Sequence, residues 1–144
     1  MANAVRRTTA MDMQHVRIRF ILGKHLERNP QSTRRYHGYL KKALVLPCRL
    51  TGREDFPWEA PYLENGWENQ AYQEMKRDHP SFTDQYELLE LLPPQEEALN
   101  IMAKVRRIED RKCFEIELDW LECIDFETEN YQLLDDYAAW SAHY

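Results

Sequence analysis

The segment IMAKVRRIEDRKCFEIEL, residues 101–118, restricts the fold more than any other part of the chain. Ile101, Ala103 and Val105 alternate with polar residues. Phe114, Ile116 and Leu118 alternate with Glu115 and Glu117. A period of two puts one set of side chains on a buried face and the other in water. With a tight turn near Glu109–Arg111, the two runs form an antiparallel hairpin, and a hairpin with one wet face needs further strands or helices to cover the other.

Those further elements can be read on either side. DQYELLELL is a strand, and ALVLPCRLTG is a β-rich run that ends in a turn at Gly52, with Pro47 marking an edge or a bend. In MQHVRIRFILGKHLERN, Val16, Ile18 and Phe20 alternate with arginines as in a strand, while Ile18, Ile21, Leu22, His25 and Leu26 fall at helical spacing, and the helix is the favoured reading. After a break at Pro30, Ser32 or Thr33 can cap a short helix bearing Tyr36 and Leu40, and ENQAYQEMKRDH can form another inside the long segment 53–84. Thr128 caps a last helix, with Leu133, Tyr137 and Trp140 on its inner face. Cys113 and Cys123, flanking a strand, read as core. Residues 1–12 lack periodicity and read as a disordered tail, leaving 13–144 as one domain. The expected fold is α+β or mainly β: a small twisted antiparallel sheet or partly open SH3-like barrel, flanked by N- and C-terminal helices, with one long aromatic and acidic loop.

Charge is divided unevenly. Residues 1–53 hold twelve Lys/Arg against Asp12 and Glu27, a local +10, whereas 54–144 carry −16, for a net −6. The simplest outcome is that the halves pair after folding, which disfavours nucleic acid as a partner although aromatic residues sit among the arginines. No apolar run is long enough to span a membrane, and the N-terminus lacks the pattern of a secretory signal, so the expected location is the cytoplasm. Cys48, Cys113 and Cys123 match neither a disulfide framework nor paired zinc ligands and read as reduced thiols. Five scattered histidines, four glycines and no nucleophile elbow argue against an enzyme.

The chemistry with most material is hard-cation binding, because calcium takes six to eight oxygen ligands and acidic loops supply them. Glu54, Asp55, Glu59, Glu64, Asn65 and Glu68 make one group, among the rings of Phe56, Trp58, Tyr62 and Trp67 that would pin the loop. Asp119, Glu122, Asp125, Glu127 and Glu129 make a second. No EF-hand loop is present. Neutralising Glu54, Asp55 and Glu59 together is expected to remove the ion while keeping the fold.

Several stretches carry a resemblance. GYLKKALVLPCRLTG, YELLELL and FEIELDWLECIDFETENYQLLDDYAAW are similar to the first strand, second strand and closing strand-turn-helix of the small calcium-binding protein family typified by cyanobacterial CcbP. The resemblance covers 36–52 and 85–140. EDFPWEAPY and HPSFTDQYELL resemble the loop of bacterial proteins described as calcium-binding through that kinship. It implies a barrel-like domain binding calcium through surface carboxylates, as a buffer or sensor. The chain departs from the family at Arg28, Arg34 and Arg35, where typical members are acidic. If that acidic run supplies ligands, a site has been lost or moved into the loop. The alternative reading is an interaction module, like an acidic immunity or anti-repressor protein, docking a basic protein partner.

Overall fold

The computed structural model describes residues 10–64 and 69–144. Five antiparallel strands form one open sheet: β1 (Arg49–Gly52), β2 (Gln85–Leu91), β3 (Met102–Arg107), β4 (Cys113–Glu117) and β5 (Leu121–Cys123), in the order β4-β3-β2-β1-β5. Among the described residues, five α-helices accompany it: α1 (Ala10–Leu22), α2 (Pro30–Ala43), the single turn α3 (Ala60–Leu63), α4 (Gln70–Asp78) and α5 (Glu129–His143). The fold is therefore the expected α+β sheet with flanking helices, and β4 and β5 are its edges.

The hairpin forms as its alternation dictates. Ala103 pairs with Ile116 and Val105 with Phe114, and Ile101, Ala103, Val105, Ile116 and Leu118 are buried. The turn closes with Arg111 at φ 63°. Cys113 corrects its reading as core, since it is exposed in phase with Glu115.

α1 begins at Ala10, within the stretch read as a tail, and residues 1–9 lie outside the described residues. It ends at Leu22, before His25 and Leu26, because Gly23 takes the left-handed conformation at φ 70° that glycine adopts without strain. Pro30 opens α2 rather than breaking the chain. The cap is Asn29, whose side chain accepts from the Ser32 amide at 2.9 Å while Ser32 Oγ accepts from the Asn29 amide at 2.9 Å. Proline is favoured at the first helical position because its missing N–H would have had no partner there.

α5 docks by Leu134, Tyr137 and Trp140, with Leu133 only partly buried. Trp140 Nε1 donates to Leu26 O at 2.8 Å, and the Tyr137 hydroxyl accepts from the Ile101 amide at 3.0 Å. Tyr36 lies against both rings, at centroid distances of 5.2 Å to Tyr137 and 5.0 Å to Trp140. The helix that closes the core thus touches α2 and the start of the hairpin.

Candidate cation sites

The long loop is held by a carboxylate. Glu59 is fully buried, and its two oxygens accept four hydrogen bonds. Oε2 takes the Phe56 and Phe82 amides, both at 3.0 Å. Oε1 takes the Tyr72 hydroxyl at 2.8 Å and the Ser81 hydroxyl at 2.5 Å. Four donors are the full capacity of a carboxylate. Glu59 is therefore an internal tie between residues 56, 72, 81 and 82, with no lone pair left for an ion.

The rings pack around that tie. Phe56 is buried against Trp120 at 5.5 Å, and Trp58 lies 5.8 Å from Tyr72 and 6.0 Å from Tyr62. Trp58 Nε1 donates to Pro80 O at 2.7 Å. The anchoring expected of Phe56, Trp58 and Tyr62 is present. Trp67, Asn65 and Glu68 lie outside the described residues. Glu54, Asp55 and Glu64 are exposed, so the loop turns its anchor inward and these acids outward.

A second knot secures α4 to the sheet. Buried Arg107 on β3 donates to Asp110 at 2.7 and 3.0 Å and to Asp84 at 3.2 Å. It also reaches the Lys76, Arg77 and His79 carbonyls at 2.9, 2.7 and 3.0 Å, satisfying the end of α4 where acceptors lack intrahelical partners. Hydrogen bonding to Asp110 comes first in raising this guanidinium above its ordinary range, and hydrogen bonding to Arg107 comes first in lowering the Asp110 carboxyl to about 2.

The second acidic group is dispersed. Glu122 lies 4.0 Å from Arg53, which also binds Asp135 at 3.1 Å. Asp125 accepts from the Glu127 amide at 3.1 Å and shapes the turn into α5, where Glu127 and Glu129 are exposed. Among the described residues, no group of three or more His, Cys, Asp or Glu side chains is arranged to hold a metal ion.

Asp119 differs from the rest. It stands on the 3-10 turn Leu118–Trp120, and its Oδ2 accepts from Ser141 Oγ at 2.8 Å. Oδ1 is buried and has no hydrogen-bond partner. Beside it, burial first and then the Asp119 charge push the Glu117 carboxyl above the usual carboxylate range, against the Asn100 hydrogen bond and Arg28. Asn100 Nδ2 donates to Glu117 at 2.9 Å. Arg28 spans the same corner, donating to Asn100 Oδ1, to Leu99 O at 3.2 Å and to Ser141 O at 3.2 Å. Arg28 thus gathers three neutral oxygens, and of their residues Asn100 also bonds Glu117 and Ser141 also bonds Asp119.

Asp119 was legible as a candidate. Glu117 was visible only as the polar phase of a strand, and Asn100 and Arg28 are far from it in sequence.

No family profile and no curated protein matches the chain. Two solved structures do. One is the crystal structure of Anabaena CcbP, with 16% identity and a TM-score of 0.59 over 91% of this chain and 90% of that one. The other is a calcium-binding protein in its calcium-binding form, with 17% identity and a TM-score of 0.59 over the same shares. Identity this low speaks for architecture, and the architecture agrees along nearly the whole of both chains: this protein has the fold of CcbP.

Proposed function

We propose that the chain is a non-enzymatic, cytoplasmic calcium-binding domain, a buffer or sensor, with Asp119 as its central ligand. One observation carries the reading: a buried, unpartnered carboxylate oxygen beside a second desolvated carboxyl. Like charges held in such surroundings repel, and a divalent cation relieves both the repulsion and the missing hydrogen bond. An all-oxygen donor set suits calcium in particular. The fold shared with a calcium-binding protein solved in its calcium-binding form supports the same ion. Glu117 would be the second anionic ligand. Arg28 would compete with the ion for Asn100 Oδ1 and the Leu99 and Ser141 carbonyls.

The test is thermal unfolding with and without millimolar calcium, because an ion that binds the folded chain alone raises its Tm by mass action. Asp119→Asn should remove that response, and Arg28→Gln should enlarge it. Glu54→Gln with Asp55→Asn should leave it unchanged. A response lost in the loop double variant but kept in Asp119→Asn would return the site to the loop. Magnesium should act more weakly, since it dehydrates reluctantly.

A second reading has its own observation. Phe126, Val45 and Leu46 are exposed, and Phe126 stands among Asp125, Glu127 and Glu129. An apolar tip ringed by acids suits a basic protein partner. Absence of any calcium response in the unaltered chain would favour this reading.

A further inference from the structure

The connection between α1 and α2 borders a cavity of about 590 Å³. Leu22 and Leu26 give it an apolar wall. Around them stand Lys24, His25, Arg34 and Arg35, with Glu27 as the one carboxylate among the described lining residues. A volume of this size, part apolar and part lined by convergent polar groups, is that of a small-molecule site.

Two of the cations are held in place. Arg34 Nη1 donates to Glu96 O at 2.9 Å, and Arg35 Nη1 donates to Leu22 O at 3.0 Å. The second contact sets a guanidinium over the last turn of α1 and covers the negative end of that helix. A guanidinium carries five N–H donors, and a carbonyl engages one of them without cancelling the charge. Each fork is thus oriented and still able to grip an anion.

The charge there is also unmatched. Arg17, Arg53, Arg106, Arg107 and Lys112 each face a carboxylate. Lys24, Arg34 and Arg35 form no ion pair among the described residues. Three full cations against Glu27 leave an excess of two positive charges on one cavity. The start of α2, the positive end of a 14-residue helix, adds a field of the same sign. Guanidiniums match the oxygens of a phosphate two at a time, while an ammonium meets them as a point charge. An excess of two charges calls for more than a single carboxylate, and the volume exceeds what one phosphate fills.

We propose that this cavity binds a small molecule bearing a diphosphate, with Arg34 and Arg35 gripping the phosphate oxygens, Lys24 adding charge, and Leu22 and Leu26 covering the group attached to the diphosphate. Binding makes and breaks no covalent bond. The site is separate from the Glu117–Asp119 corner, and the inference is independent of calcium.

The experiment is calorimetric titration of the full chain with pyrophosphate and with ADP, at low ionic strength and with EDTA present so that no divalent ion bridges protein and phosphate. The expected result is one bound ligand per chain for both probes. Arg34→Gln and Arg35→Gln should each weaken binding about tenfold, and Lys24→Gln about threefold or more. Lys104→Gln removes the same charge from an exposed position on β3 and should change affinity by less than about twofold. ADP binding more tightly than pyrophosphate supports the role of the apolar wall; equal binding would overturn that role and leave a site for the diphosphate alone. No binding of either probe would overturn the proposal. So would equal weakening by Lys24→Gln and Lys104→Gln, the mark of general charge attraction. If either arginine variant fails to fold, Lys24→Gln set against Lys104→Gln decides alone.

Discussion

Replacing Glu59 by Gln changes one atom of a fully buried side chain and should cost far more than its volume suggests. The carboxylate now accepts from four donors: the Phe56 and Phe82 amides and the Tyr72 and Ser81 hydroxyls. A glutamine can keep its oxygen toward the Phe56 and Phe82 amides while its NH2 faces the Tyr72 and Ser81 hydroxyls, which must then accept from it and turn their protons to other acceptors, as Ser81 can toward Thr83 Oγ1. Two hydrogen bonds are reversed and all four lose the assistance of the charge. Exchanging charge-assisted for neutral hydrogen bonds in this way costs about 1–3 kcal/mol, which is the loss expected of Glu59→Gln. Part of that is offset because the carboxylate no longer has to be desolvated.

Urea unfolding followed by tryptophan fluorescence is a suitable assay, because Trp58 packs beside the site and Trp120 against Phe56. Hydrogen exchange should localise the damage to the Phe56 and Phe82 amides. Glu54→Gln and Asp55→Asn, both exposed, should each stay within about 0.5 kcal/mol of the parent. A Glu59→Gln protein equally close to the parent would refute the role of the carboxylate as the loop's tie. The expectation that Glu54, Asp55 and Glu59 can be neutralised together without harm is thereby replaced for Glu59, because only that residue supports the loop from inside.

Trp140→Ala should cost about 3–5 kcal/mol in the same unfolding assay, since it opens a cavity among Tyr36 and Tyr137 and orphans Leu26 O. Gly52→Ala should destabilise by at least about 1–3 kcal/mol, because an added Cβ would sit 2.4 Å from Phe82 Cβ and 2.5 Å from its Cα, where backbone cannot yield easily. For Asp110, the folded carboxyl lies near about 2 and below its unfolded value, so its pairing with Arg107 stabilises the protein above the ordinary carboxylate range and that contribution fades as pH falls toward about 2. Asp110→Asn should therefore flatten the acid limb of the stability curve while changing little at pH 9 relative to pH 7. The side chain is about a third exposed, which keeps the effect small.

Alternation made the hairpin readable, since each strand presents a full set of inward residues. β5 was not readable, because Leu121–Cys123 gives three residues and one polar position, too few for any period. The cap of α2 was misplaced by three residues for a local reason: Ser32 is indeed in the capping box, but as the residue that reaches back, while Asn29 reaches forward. Pro30 was ambiguous in the same way, as proline both ends one element and opens another. For the site, sequence shows which residues are acidic but not which way they face. Glu59 lies within six residues of Glu54, Asp55 and Glu64, and its distinction depends on Tyr72, Ser81 and Phe82, which only the fold brings to it.

The charge halves follow the same logic. A +10 segment and a −16 segment could neutralise along one broad surface, but the fold pairs them at a few points. Arg17 binds Asp136 through Nε at 2.7 Å and Nη2 at 2.9 Å, and Arg53 binds Asp135. Both contacts fasten the first half to α5, and Arg28 reaches Ser141 at the far end of the same helix. Other basic side chains of the first half are spent on carbonyls: Arg34 on Glu96 O at 2.9 Å and Arg35 on Leu22 O at 3.0 Å. Carbonyl contacts satisfy hydrogen bonds without cancelling a formal charge, so excess negative charge remains on the second half. At the Glu117–Asp119 corner that excess is also desolvated, with Arg28 as the cation tethered beside it. Burial makes charge there more costly than the same charge on Glu54 or Asp55, which water already stabilises. A free divalent ion therefore has more to gain at that corner than on the loop that carries more acids.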